Sequence, residues 1–563
     1  MNSSSKKGVQ LLISHFVHLN IQHIVFSPGS RNAPLVIAIQ QHDFFKSIVI
    51  PDERSAAFYA LGMAQQLNEP VVLICTSGSA VLNYYPAVAE AFYQNTPLLV
   101  ISADRPIDYI DQGDGQTIRQ ENALKNHVRY FTSLRENHAS EDDIWFNSRE
   151  ISSAYHACNG IIKGPVHINF PLSEPLYQKE VLDPTIEKIT PVYIVDGKPS
   201  VPAEEQPILK KIWKNTEKIM VLVGQHQPDT YLLNALKNLN SLANVAIMVE
   251  NTSNLLDRDF VNCIDRTLNA ISEEEKANFA PDLLITLGGA IVSKKIKQFF
   301  RTYQPKHHWK VGVNFPAMDT YKSLSRSLLV GESDLINLLS TFSSEATSNF
   351  GNKWKQMDFL QEEKLRLYLE SNKTYCDLNV YECLLDCVPD DSHLHLANSS
   401  VIRYSQLFTP INTIKYWCNR GTSGIDGSAS TAAGASLISK DKCHTLIIGD
   451  LSFFYDSNAF LNQLKLSNLR VFLINNGGGD IFNIIPGPDT TDELNENFVY
   501  KHPFTAAGIC ESYGIRYFKA TNLEEIENQM HDFYTESADT VYLMEIFTNK
   551  ENNSAELKNF FNI

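Results

Sequence analysis

Short apolar runs closed by turn residues alternate with helical patterns along most of the chain. In the first third, Ile24-Val25-Phe26, Ile48-Val49-Ile50, Val71 to Cys75 and Leu98 to Ser102 read as buried parallel strands. Their ends carry polar punctuation: Ser27 to Arg31, Pro51 to Arg54, Thr76 to Ser79 and Ala103 to Pro106. Such alternation predicts a doubly wound α/β domain to about residue 180, with ligands bound in the loops at the carboxyl ends of the strands. After a Pro- and Lys-rich stretch between Asp183 and Pro207, a second set of strands is expected near Ile219 to Val223, Val245 to Val249, Leu283 to Leu287 and Trp309 to Val313. A helix-favouring region, Ser343 to Leu369, leads to a third set near Leu394 to Leu396, Thr413 to Trp417, Thr445 to Ile448, Val471 to Ile474 and Val541 to Ile546. The expected organisation is three doubly wound α/β domains with mainly parallel sheets, 1–182, 183–350 and 351–563. Their similar size raises the question of internal duplication, although no strong sequence repeat is visible.

The chain has 563 residues, more than one hydrophobic core usually serves. A formal net charge of -16 argues against a nucleic-acid or anionic membrane partner, but leaves open small anions held by a few local cations. Nine cysteines without a repeated CxxC pattern point to reduced thiols and a cytoplasmic location rather than a disulfide framework. Cys383 and Cys387 alone are too few soft ligands for a zinc site. No run approaches the roughly 18 apolar residues of a membrane span. Lys6-Lys7 ahead of Val9 to Ile13 is interrupted by Ser14, His15 and His18, which favours an amphipathic first helix over a signal peptide. Gly288-Gly289 in the middle set is not a dinucleotide fingerprint.

The densest candidate chemistry lies between Thr445 and Pro486. One apolar run stops at Gly449-Asp450 and the next at Asn475-Asn476-Gly477-Gly478-Gly479. A crossover helix over Ser457 to Asn468, with Phe460, Leu461 and Leu464 on one face, would bring these two ends side by side. Mg²⁺ takes an octahedron of oxygens. The Asp450 carboxylate, the Asn476 side chain and the Gly478 carbonyl can supply three of them. Either feature alone also reads as an ordinary strand end or turn. Together, Gly-Asp, 24 residues from Leu451 to Ile474 and then Asn-Asn resemble the diphosphate and metal signature of the thiamine diphosphate enzymes.

Further blocks narrow the resemblance. SPGSRNAP from Ser27, DERS from Asp52, ADRP from Ala103, QTIRQ from Gln116, NRGTSGIDG from Asn419 and the run from Asn475 to Phe482 resemble, in order, the 2-succinyl-5-enolpyruvyl-6-hydroxy-3-cyclohexene-1-carboxylate synthases of menaquinone biosynthesis. That resemblance implies pyrimidine-binding, central and diphosphate-binding domains in this order. It also implies thiamine diphosphate and Mg²⁺ or Mn²⁺ as cofactors, 2-oxoglutarate and isochorismate as substrates, and a homodimer or homotetramer with shared sites.

By the same resemblance, Glu53 hydrogen-bonds the aminopyrimidine ring and relays a proton, although an acid there also simply complements a helix dipole. Ile425 wedges the cofactor into a bent shape, with core packing the alternative, beside Ser423 and Gly424. Leu451 and Ser452 flank Asp450 at the diphosphate. Arg31, Arg105, Arg403 and Arg420 clamp carboxylates. Ser30 stands next to Arg31, Gln116 meets the reacting intermediate, and Ser399 faces cofactor or substrate. Ile481 and Phe482 wall the reacting carbon. Lys294 and Lys295 form a basic pair reaching isochorismate, with a solvated helix start the alternative. Gly115 stands where an amide side chain is expected. Another thiamine diphosphate-dependent 2-oxoacid decarboxylase, or an acetolactate synthase-like enzyme, would keep Glu53, Asp450 and Asn476 without needing so many arginines. A non-catalytic diphosphate binder would not need Glu53.

Overall fold

The computed structural model describes residues 2–343, 345–479, 481–484, 497–535 and 539–561. Among the described residues, the strands form three parallel sheets and one antiparallel pair, Asn2–Ser4 with Lys179–Val181. The first sheet runs, in spatial order, Lys46–Val49, His23–Phe26, Val71–Cys75, Leu98–Asp104, Val166–Pro171 and Phe131–Ser133. The third runs Lys415–Trp417, His393–Leu396, His444–Gly449, Leu469–Asn475, Tyr542–Phe547 and Arg516–Ala520. In both, the strands lie second, first, third, fourth, sixth and fifth. The first and third sheets therefore share one topology, although no strong sequence repeat marks it. The middle sheet, Val245–Val249, Ile219–Val223, Leu283–Leu287, His307–Val311 and Arg326–Leu328, begins with the same second, first, third and fourth order. Each sheet reverses direction of growth beside its first strand, which opens a crevice at the carboxyl ends.

The first and third sheets are joined through equivalent helices. Glu53–Leu67 follows the second strand of one sheet, and Ser428–Ile438 follows the second strand of the other. Their facing surfaces are built from buried alanines, Ala56, Ala57, Ala60, Ala432, Ala433 and Ala435. A Cβ on Gly62 would overlap the Thr431 carbonyl, and one on Gly434 would overlap the Tyr59 carbonyl. Glycine is thus required at two matching positions for the backbones to touch. Tyr59 completes the junction by donating its hydroxyl to the Ala459 carbonyl at 2.6 Å.

Two sequence expectations need revision. The connection between His444–Gly449 and Leu469–Asn475 is not a helix over Ser457 to Asn468. It consists of the helix Asp450–Tyr455, a single 3₁₀ turn Ser457–Phe460 and an irregular return. Asparagine side chains bind the backbone there in place of helical bonds. Asn462 donates to the Ala459 carbonyl and accepts from Leu464 N–H, while Asn468 donates to the carbonyls of Ser436, Ser439 and Lys442. The helix Phe350–Ser371, placed by the 350/351 boundary at the head of the third domain, packs on the middle sheet. Gly351 lies against the Val245 carbonyl, and Trp354 packs edge-on against Phe279. The first helix is Lys7–His18, and all nine cysteines are free thiols. Among the described residues, no helix is long and apolar enough to cross a membrane.

Candidate active site

At the third sheet, Gly449 pairs with Ile474, so the residues that follow each strand are neighbours. Asp450 is buried, and its Oδ2 accepts the Gly478 N–H at 2.9 Å. Burial pushes its carboxyl above the usual range, while the N–H groups of Leu451, Gly478 and Gly477 and the nearby His502 oppose that shift. Gly478 has φ +146°, and a Cβ there would overlap the Tyr500 carbonyl, so only glycine fits. The two asparagines divide the work. Asn475 donates to Glu545 at 2.7 Å and to the Phe504 carbonyl at 3.0 Å, and accepts from Gly477 N–H, which fixes the turn. Asn476 leaves its Oδ1 buried and unpaired. An unpaired buried acceptor close to a buried carboxylate is a donor set suited to a hard cation. Among the described residues there is no cluster of three or more His, Cys, Asp or Glu suited to a metal ion.

The loop from Cys418 to Gly427 closes over this point. Ser452 donates its hydroxyl to the Ile425 carbonyl at 2.5 Å, tying the loop to the Asp450 helix. Ile425 remains 39% exposed, an apolar side chain held out of the core, and Ser423 adopts a left-handed φ of +62°. Gly424 lies against Asp426, and Leu451 lies beside Gly479. Asn398 donates to the carbonyls of Asn419 and Gly424 and accepts from Arg420 at 2.7 Å. Next to it, Ser399 carries φ +73° at the start of the helix Ser400–Ser405. From the first domain, the buried Glu90 carboxylate accepts Gly421 N–H, Thr422 N–H and the Thr422 hydroxyl, each at 2.6 Å. It also accepts from Gln94.

A cavity of about 670 Å³ adjoins this loop region and gathers Lys294, Lys295, Arg403 and Ile481 with Asp265, Lys297, Arg301, Leu557 and Phe561. Arg403 and Arg420 both keep a buried, unpaired Nε. Phe482 packs near Phe498, with ring centroids 6.0 Å apart. Glu250, at the carboxyl end of Val245–Val249, accepts the N–H groups of Val292 and Ser293 and so anchors the start of the lysine helix Lys294–Thr302. Burial raises its pKa to about 7.

At the first sheet the structure gathers a second cluster. Asp52 caps the helix Glu53–Leu67 by accepting the N–H groups of Arg54 and Ser55. Glu53 stands half-buried at its first turn, with its charge felt by Cys75. Arg31 is buried, donates to the Leu172 carbonyl at 2.9 Å, pairs with Glu174 and keeps its Nε unpaired. Ser30 beside it is exposed. Arg105 donates twice to the Gly115 carbonyl, at 3.2 and 3.1 Å. Gln116, exposed with φ +55°, packs against Gly78. Gln120 ties that loop to the sheet through Gly78 N–H, the Ala103 carbonyl and Asn169. Arg119 pairs with Asp111 at the surface. Within one chain, the bonds of Arg31 and Arg105 named here stay inside the first domain.

Sequence reasoning missed Glu90, Asn398, Glu250, Lys297 and His502. His502 accepts Phe504 N–H on Nδ1, which leaves Nε2 3.2 Å from Asp450. Only Asn398 carried a signal, as the residue before the paired serines ahead of Arg403.

Known proteins agree with this geometry. The family described as thiamine pyrophosphate enzyme, N-terminal TPP binding domain, matches residues 6–126, and its C-terminal TPP binding domain counterpart matches residues 399–546. The chain is 42% identical to the 2-succinyl-5-enolpyruvyl-6-hydroxy-3-cyclohexene-1-carboxylate synthase of Christiangramia forsetii, covering 96% of each. It is 41% identical to that of Flavobacterium johnsoniae, again over 96% of each. To that of Porphyromonas gingivalis it is 36% identical, over 99% of this chain and 97% of the relative. With three parallel-sheet units, paired carboxyl-end clusters and near full-length likeness, the chain belongs to the 2-succinyl-5-enolpyruvyl-6-hydroxy-3-cyclohexene-1-carboxylate synthase family of thiamine diphosphate-dependent enzymes.

Proposed function

We propose that the chain is a carboligase. It decarboxylates 2-oxoglutarate using thiamine diphosphate and Mg²⁺ or Mn²⁺, then joins the four-carbon unit to isochorismate, releasing carbon dioxide. The observation that carries this reading is the set of arginines with buried, unpaired Nε groups, the buried Arg31 and the half-buried Arg403 and Arg420, in the segments that follow strand ends of an acidic protein. Both substrates are dicarboxylates, and guanidinium groups meet carboxylates with matched geometry.

When bound, thiamine diphosphate supplies an acidic ring carbon that attacks a 2-oxo acid and accommodates the electron pair left by carbon dioxide. Asp450, the free Asn476 Oδ1 and the Gly478 carbonyl would hold the metal ion, and Leu451 and Ser452 would flank the diphosphate. Ile425 would support the cofactor from the tethered loop, with Ser423 and Gly424 letting the backbone approach. Glu53 hydrogen-bonds the pyrimidine ring and holds the proton that must move. Ser30, Arg31, Arg105 and Gln116 orient one dicarboxylate, while Arg403, Arg420, Ser399 and the Lys294–Thr302 helix receive the other. Ile481 and Phe482 keep water from the reacting carbon.

Each site draws on two copies of the chain, in a homodimer or homotetramer. Support comes from the start of the Glu53 helix, which is already bonded within its own chain. Asp52 accepts from Asn458 at 2.7 Å and Arg54 donates to the Tyr455 carbonyl at 2.7 Å, at and just past the far end of the Asp450 helix. A cytoplasmic setting suits the nine free thiols. The test is carbon dioxide release with each substrate alone, with both together, and with pyruvate in place of 2-oxoglutarate. Release that needs both proposed substrates supports the reading, and turnover of pyruvate alone replaces it with a simpler decarboxylase.

A further inference from the structure

Asn475 ends the strand Leu469–Asn475, and its neighbour in register on the adjacent strand Tyr542–Phe547 is Phe547. Thr548 therefore leaves the sheet beside the point where Asn476 leaves it. Its N–H donates to the Asn475 carbonyl at 3.2 Å, and its hydroxyl donates to Asp377 Oδ1 at 2.6 Å. Asp377 opens the helix Asp377–Asp386, is 1% exposed, and donates its own N–H to Asn553 Oδ1 at 2.8 Å. Its second oxygen, Oδ2, accepts from Asn476 Nδ2 at 3.5 Å. One buried carboxylate thus meets two other segments that lie 99 and 171 residues away in sequence.

An acid in the first turn of a helix complements the helix dipole, and this alone would explain an exposed Asp. It does not explain a buried one whose two oxygens are aimed at two other segments. A carboxylate only accepts hydrogen bonds, so the end of the Asn476 amide beside it must be the NH₂ group. The opposite end is Oδ1, the atom that stays buried and unpaired. With the amide turned over, Asn476 would offer N–H donors where a hard cation needs oxygen. A separation of 3.5 Å is longer than an ordinary N–H···O bond. A cation drawing on Oδ1 polarises the amide and makes its NH₂ a better donor, which strengthens the hold when the metal is present.

We propose that Asp377 is a positioning residue for the metal ion, holding the Asn476 amide by its NH₂ end so that Oδ1 is the atom offered to the cation. This inference rests on the metal assignment of Asn476 within the carboligase reading.

The test is Mn²⁺ titration of the protein with saturating thiamine diphosphate, free Mn²⁺ being read by electron paramagnetic resonance. Wild type is compared with Asp377→Asn, Asp377→Ala, Asn476→Ala and the double variant Asp377→Asn/Asn476→Ala, each checked for folding by circular dichroism. Partners that orient a metal ligand typically contribute about 10- to 100-fold in affinity, so the Mn²⁺ Kd is expected to rise at least about tenfold in Asp377→Asn. Asp377→Asn keeps the side-chain volume, and Asp377→Ala repeats the comparison without introducing a second amide. Once Asn476 has no amide to orient, the Asp377 substitution should change the Kd by less than about twofold. A merely structural Asp377 weakens binding by the same factor in both backgrounds. That result, or a Kd within about twofold of wild type in folded Asp377→Asn, overturns the proposal. Asn476→Ala binding Mn²⁺ as tightly as the wild type instead removes the metal assignment itself, and the proposal falls with it.

Discussion

Glu90→Gln isolates a contact that couples the first domain to the cofactor loop. The carboxylate is 1% exposed and collects four donors, two on each oxygen: Gly421 N–H and Gln94 on Oε1, Thr422 N–H and the Thr422 hydroxyl on Oε2. An amide of the same shape keeps one acceptor oxygen and turns an NH₂ group toward donors on the other side. At least one backbone N–H loses its partner, and a donor is set against it. A hydrogen bond to a charged group contributes about 1.5–3 kcal/mol, and a stranded buried donor costs about 1–3 kcal/mol, so a loss of about 3 kcal/mol is expected. Residues 420–425 are what this contact steadies, and they include Arg420 and Ile425. If most of the loss falls on the bound state, thiamine diphosphate affinity drops by about 100-fold at about 1.4 kcal/mol per decade. Calorimetric titration with the cofactor and Mg²⁺ reads this directly, and circular dichroism checks that the fold is kept. Cofactor affinity within about twofold of the wild type, in a folded Glu90→Gln protein, would refute the coupling.

Glu53→Gln is expected to reduce turnover by about 10² to 10⁴, the range for lost acid–base help, while cofactor affinity stays within a few-fold; retained turnover removes Glu53 from the proton relay. Asn476→Ala removes the unpaired buried acceptor, so the Mg²⁺ concentration for half-activation rises at least about tenfold at fixed cofactor; an unchanged requirement contradicts the metal assignment. His167, fully buried between strands, has its pKa lowered by burial to about 4. The unfolded chain therefore binds a proton near pH 6.5 that the folded chain takes up only near pH 4, and stability falls as pH drops through that window. At pH 5 this one group costs about 2 kcal/mol, so His167→Asn should narrow the difference in urea midpoint between pH 7 and pH 5; an unchanged difference would show that His167 does not titrate this way.

Local chemistry was readable where one strand and its following turn carried it. Asp450 and Asn476 stood out because apolar runs of strand length ended at them with a spacing that one crossover spans. The connection itself was misread as a helix because Phe460, Leu461 and Leu464 have helical spacing, whereas Asn462 and Asn468 spend their side chains on nearby carbonyls. The interior strand Val166–Pro171, fifth of six, is not legible because His167 and Asn169 break its apolar pattern. Both are buried and bonded to the neighbouring strand, His167 to Ser102 at 2.7 Å and Asn169 to Asp104 at 2.9 Å. The edge strands Phe131–Ser133 and Arg516–Ala520 are short or polar, as edges often are. Glu90 had no local signal, since its loop partners Gly421 and Thr422 are more than 300 residues away in sequence.

Carbon dioxide release from 2-oxoglutarate by the purified protein with thiamine diphosphate and Mg²⁺, with and without isochorismate, decides whether the chain is a carboligase. Sustained release that requires isochorismate as well as 2-oxoglutarate and the cofactor is the predicted result. Release at the same rate without isochorismate, or from pyruvate in place of 2-oxoglutarate, would contradict it.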